Sequence, residues 1–388
     1  MAADTFTFDP EGDLFLRLHY SDEAGVVKVE GCTASSRDAS SEEDVVLIPV
    51  SNDMDVSPPE DASKTVHMLV SSKHLILASS VFKAMFRPGF RESLPRVSEG
   101  QMELDLPDDD PAAFEILLNI IHGHVRKVPD KITLEMLIKL SVLVDKYQVL
   151  EVTELHVRSW MPKLRLSLPT EFSPSVICLM SISWVFKMKE NFKELTSIAE
   201  RGSSFDLGED DQTSLLIPRF ITDRIEATRQ NGISILISDI NNMITAYNTG
   251  SFSCTTVFSN NEVMDGNLAC DGMVLGSLMK SLASYGLWPL PTAPYVGISM
   301  ESLANQIRSL KILALCDQDR FQACTWRTDH RPGHGWKTWL SDKADSALFT
   351  ADGQDLSDMT AQSNLNRFGP TEKLVPGRSS TTEDTLDP

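Results

Sequence analysis

The sequence predicts an α+β protein: helices around a small sheet in the first 161 residues, followed by a mainly α-helical half. Three observations carry this. Residues 13–19, 65–72 and 102–107 alternate apolar with polar side chains in β-favouring composition, the period of half-buried strands. Residues 73–86, 110–123 and 133–149 instead carry apolar residues at spacings of three and four, the period of helices. Beyond about residue 220 strand signals thin out and helical stripes take over.

The first strand, "DLFLRLH", is entered from a turn at Gly12. Between Ser21 and Thr65 there are eleven acidic and three basic residues, many serines and the pair Pro58-Pro59, so residues 21–64 read as an acidic, disordered insertion. Its two apolar islands, 26–30 and 45–50, have the composition of short strands. The stretch "KHLILASSVFKAMFRPGFRE" (73–92) then carries Leu75, Leu77, Ala78, Val81, Phe82, Met85 and Phe86 on a wide apolar face, and Pro88 and Gly89 stop it. After the third strand, "DDDPAAFEILLNIIHG" starts a helix: Asp110 can accept bonds from the free N–H groups and Pro111 suits the first position. Phe114, Leu117, Leu118 and Ile121 form its stripe, and Gly123 is placed to end it. The next helix, 133–149, faces inward with Leu137, Leu140, Val144 and Tyr147.

In the second half, residues 221–247 carry Ile233, Leu236, Ile237, Ile240 and Ile244 at helical spacing, with a break expected at Asn231-Gly232. Leu275, Leu278, Leu282 and Tyr285 form another stripe, ended by Gly286 and Pro289; Leu303, Ile307 and Leu310 form a third. The division expected is 1–161, 162–345 as a helical domain, and 346–388 as a polar, disordered tail.

Composition narrows the function classes. Against 35 Lys and Arg stand 55 Asp and Glu, a formal charge of −20 that repels phosphate backbones, and no basic patch offsets it; a nucleic-acid partner is not expected. The best apolar run, 175–186, is shorter than a membrane span, and residues 1–10 lack a secretory signal, so the expected setting is cytoplasm or nucleus without a membrane partner. Six cysteines, sparse and outside any CxxC motif, read as reduced thiols. The runs Glu42-Glu43-Asp44 and Asp108-Asp109-Asp110 read as a solvated loop and a helix start. With no GxSxG, Walker A, GxGxxG or HExxH pattern, neither an enzyme nor a cofactor is expected.

Taken in order, "LILASSVFKAMF" (75–86), "MELDLPDDDPAAFEILLNIIHG" (102–123) and "LSVLVDKYQV" (140–149) resemble the BTB/POZ domain over residues 10–160. "GDLFLRL" followed by an acidic insertion, and the spelling "VSSKHLILAS", look most like the fungal BTB-domain proteins, and "LGSLMKSLASYGLWPLP" (275–291) is similar to their C-terminal regions. The resemblance implies a BTB fold with Phe82 and Phe86 in the core and Met85 close to the partner-binding face. It implies protein partners rather than catalysis: a homodimer and, as in many members, docking onto a cullin scaffold as a ubiquitin-ligase substrate adaptor.

Cullin-binding members often carry a hydrophobic residue, any residue, then Glu after the buried helix, and Phe90-Arg91-Glu92 falls there. An exposed Phe90 can anchor in an apolar groove while Glu92 accepts a charge-assisted bond; the plainer alternative folds Phe90 back onto its own domain. The alternative function is a nuclear transcription or chromatin regulator. BTB repressors pair a buried Asp with a basic residue following a His; here Asp13 matches the Asp, but the other two positions fall on Ser72 and Ser71. Asp13 is therefore expected to cap a turn or take another partner. The metal-like constellation Cys316, Cys324, His330 and His334 has the spacing Cys-x7-Cys-x5-His-x3-His, looser than zinc motifs, and Pro332, Gly333 and Gly335 keep the two histidines off a common helical face. Two reduced cysteines and two loop histidines, with no metal, is the reading preferred.

Overall fold

A computed structural model describes residues 4–20, 64–87, 96–98, 101–165, 169–208, 217–249, 254, 266–317 and 332–368. The chain is α+β. Its sheet contains β1 (Asp4–Thr7), β2 (Leu14–Tyr20), β3 (Lys64–Val70), β4 (Arg96–Ser98) and β5 (Gln101–Leu106), in the order β1-β3-β2-β5-β4. β2 runs antiparallel to β3 and parallel to β5. The period-two pattern sets the register: Leu14, Leu16 and Leu18 lie opposite Val70, Met68 and Val66, and all six are buried on one face. On the other face Arg17 sits 3.5 Å from both Glu103 and Asp105, partly exposed pairs that contribute little.

The apolar face expected over 73–86 is divided between two short helices, α1 (Ser72–Ala78) and α2 (Ser80–Met85). Ser79 makes the break. Its Oγ accepts the Phe82 backbone N–H at 3.0 Å and donates to the Tyr147 carbonyl at 2.6 Å, capping α2 and tying it to the next layer. α3 (Pro111–Ile121) begins as expected, with Asp110 Oδ1 accepting the Ala113 N–H at 2.9 Å. α4 (Leu134–Tyr147) packs against α2, α3 and α6, and α5 (Leu150–Arg165) against α3 and α4.

α6 (Pro174–Val185) is apolar on all sides and buried throughout most of its length, as such a helix must be. α7 (Lys189–Gly202) packs on it. α8 (Arg219–Asn248) is one continuous helix, so the expected break at Asn231-Gly232 is not there. Gly232 serves a close approach instead: a Cβ at this position would lie 2.3 Å from Met300 Cε. α9 (Gly266–Ser284), α10 (Met300–Arg308) and α11 (Trp336–Thr350) assemble against the C-terminal part of α8.

The apolar interior forms two cores that meet within α8. The first joins the sheet, α1 to α7 and the start of α8 through Ile221 and Ile225; the second gathers Ile233 to Met243 with α9, α10 and α11. The N-terminal layer therefore shares its core with residues well beyond 161. Of the tail expected from 346, residues 356–368 form α12 (Leu356–Phe368), which anchors Leu356 and Met359 in the first core; residues 369–388, like 21–63, lie outside the described residues. No helix among the described residues is long and apolar enough to cross a membrane.

The approach to α12 is held by α7. Ser197 Oγ donates to the Ala351 carbonyl at 2.6 Å, Gln354 N donates to Thr196 Oγ1 at 2.8 Å, and the Glu200 carboxylate accepts from Gly353 N and the Gln354 amide. Gly353 has φ of 87°, and a Cβ there would lie 2.0 Å from the Lys193 carbonyl oxygen, so only glycine fits. Burial pushes the Glu200 carboxyl up, against the bonds that pull it down. A raised carboxyl contributes stability that is full below the ordinary value of 4.5 and lost as pH rises through the folded value. Glu200→Gln is expected to flatten that limb when thermal midpoints are followed across pH; parallel profiles for variant and wild type would contradict it.

Candidate functional site

Two regions hold the residues singled out by sequence. At the first, Met85 closes α2, half-buried against the first core, with Phe86 stacked on Phe82 at 6.2 Å. Phe90 and Glu92 lie outside the described residues. At the start of α1, Asp13 finds the other partner expected of it: Oδ1 accepts the Ser72 backbone N–H at 2.7 Å and Oδ2 accepts the Ser72 hydroxyl at 2.6 Å. Burial alone would raise the Asp13 carboxyl; the two bonds from Ser72 outweigh it and hold the group below its ordinary value. Ser71 N donates to His122 Nε2 at 3.2 Å, while His122 Nδ1 lies 2.9 Å from the Leu118 carbonyl, which sets a neutral ring protonated on Nδ1. Burial pushes the His122 ring down, in keeping with that state.

The second region lies in the C-terminal core. Cys254, between α8 and α9, Cys270 on α9, Cys316 in the short turn Leu315–Asp317 and His334 in the turn Pro332–Gly335 converge, with all four ligand atoms within 4.8 Å of one another. Cys270 Sγ is 3.6 Å from Cys316 Sγ, and each sulfur is 3.4 Å from His334 Nε2. The three cysteines are buried thiols, not disulfides. His334 takes a left-handed backbone, φ 59°, followed by Gly335 at 78°, and this tight turn aims the ring inward.

The surroundings orient the ligands. Tyr247 Oη lies 2.7 Å from His334 Nδ1 and accepts the Trp336 Nε1–H at 2.6 Å, and Asp271 Oδ1 accepts the Cys254 backbone N–H at 3.0 Å. Burial pushes the Cys270 thiol up. A cysteine beside a histidine could also serve as nucleophile and base, but a nucleophile needs an accessible face, and Cys270 is 0 % exposed.

Of the constellation named from sequence, Cys316 and His334 are brought together; Cys324 and His330 lie outside the described residues. Cys254 and Cys270 are the members that spacing missed. Cys270 shares the buried stripe of α9 with Val274, Leu278 and Leu282 and so reads as core, and Cys254 is far from any pair motif. The expectation of reduced thiols holds for these three cysteines, whereas Cys178 on α6 is disulfide-bonded. Compared with protein-family models and with curated proteins, the chain matches none.

Proposed function

We propose that the chain is a non-catalytic protein–protein interaction protein of the BTB type, in which the exit of α2 engages a cullin scaffold and the C-terminal helices hold a client. The observation that supports this best is the order of the N-terminal elements. An antiparallel β2–β3 pair is followed by the helix pair α1–α2, then by the short β4 and by β5 returning parallel to β2, then by the capped helix α3 and by α4. That is the succession the sequence resemblance implies. Asp13 favours the adaptor over the repressor, because its carboxylate is taken up by Ser72 and not by a basic side chain.

In this reading Met85 borders the docking face, Phe90 supplies the apolar anchor and Glu92 the charge-assisted acceptor. The test uses the full chain, since the first core extends into α8 and α12. Binding to the N-terminal domain of the host's BTB-binding cullin is measured for wild type and for Phe90→Ala/Glu92→Ala. Binding by wild type that falls at least tenfold in the folded double variant is expected; equal binding by both, or none by either, overturns the adaptor reading.

A further inference from the structure

We propose that Cys254, Cys270, Cys316 and His334 form a structural zinc site that pins the second core. The distances fit. A tetrahedral zinc with Zn–S of about 2.3 Å and Zn–N of about 2.0–2.1 Å separates two sulfurs by roughly 3.8 Å and sulfur from nitrogen by roughly 3.5 Å. The corresponding separations here are 3.6 Å for Cys270 to Cys316 and 3.4 Å from each sulfur to His334 Nε2. Three thiolates and one imidazole suit zinc over hard cations, which take oxygen ligands.

Four protein ligands in a buried setting leave no open position, so the site is structural and not catalytic. Loading releases the three thiol protons to solvent as the sulfurs take on the metal. The histidine is placed for it: Nε2 faces the sulfurs, and Nδ1, which carries the proton once Nε2 ligates, lies 2.7 Å from the Tyr247 oxygen, an outer partner of the kind that fixes a ligating ring. The ligands come from chain segments far apart, Cys270 and Cys316 being 46 residues apart and Cys316 and His334 18 apart. A single ion thus ties Cys254, α9, the turn at Cys316 and the approach to α11, adding to the apolar packing of the second core and to hydrogen bonds such as that from Cys254 N to Asp271.

The test is made on the full, reduced chain expressed with zinc and desalted without chelator. Elemental analysis is expected to find about one zinc per chain, and cobalt exchanged into the stripped protein is expected to give the thiolate charge-transfer and intense visible bands of a tetrahedral site. Cys254→Ser, Cys270→Ser and His334→Ala should each lose the metal, while Cys324→Ser and His330→Ala keep it. Tyr247 is a positioning residue: Tyr247→Phe should retain the stoichiometry but weaken zinc about 10–100-fold against a chromophoric competitor. The cobalt spectrum of wild type does not depend on whether any variant folds. Wild type with far less than one zinc and no cobalt bands overturns the proposal, as does metal kept by folded Cys254→Ser and Cys270→Ser but lost from Cys324→Ser.

Discussion

Phe82→Ala is expected to destabilise the chain by about 3–5 kcal/mol, the range for truncating a fully buried aromatic side chain. Phe82 is 0 % exposed. Its ring stacks on Tyr147 at 4.5 Å with an interplanar angle of 4°, and Phe114 meets Tyr147 edge-on at 5.6 Å. The loss therefore removes apolar area, leaves a cavity and breaks an aromatic cluster joining α2, α3 and α4. Phe82→Leu is expected to recover part of it. Urea unfolding followed by tryptophan fluorescence measures both; a cost below about 1 kcal/mol for the alanine variant would show that the site collapses without consequence and that the cluster is misassigned.

Arg229→Ala is expected to cost a similar amount, about 3–5 kcal/mol, because it breaks a buried ion pair from one side. The Arg229 side chain is 1 % exposed and grips Glu226 with two bonds, at 2.6 and 2.7 Å. The same guanidinium donates to the carbonyls of Pro294, Tyr295 and Ile298 at 2.9, 3.2 and 2.6 Å, so it also holds the segment that leads into α10. Arg229→Lys should rescue little, since an ammonium cannot reproduce the planar fork. Burial would raise the Glu226 carboxyl, but the bonds from Arg229 and Gln230 outweigh it and hold the group below its ordinary value of 4.5. Its contribution is then present above that value and lost as pH falls through the folded one, and this acid limb should vanish in Arg229→Ala. An unchanged acid limb would contradict the pairing.

How much of this was legible in the sequence differs by element. Leu14, Leu16 and Leu18 announce β2 because one face of it is buried, and Asp110-Pro111 announces α3 because cap chemistry is local. β1 and β4, four and three residues long, are too short to show a period. Gly232 reads as a breaker until Met300 is seen against it, and α12 reads as tail because Leu356 and Met359 are the buried apolar residues among those described in it. The metal-like cluster was half legible. Cys316 and His334 sit in the turn-rich region where ligands are sought, while Cys254 and Cys270 join them only through the packing of α8, α9 and α11. Spacing along the chain reports ligands that share a turn, and this site is assembled from four separate places.

Engagement of a partner at the exit of α2, as proposed, is read out by methyl NMR of the full chain labelled at its methionines. Met85 closes α2 at the proposed face, whereas Met180 and Met243 are buried in the two cores. On titration with the cullin N-terminal domain, the Met85 methyl is expected to shift or broaden while those of Met180 and Met243 stay in place. A Met85 signal unmoved at saturating cullin would contradict it.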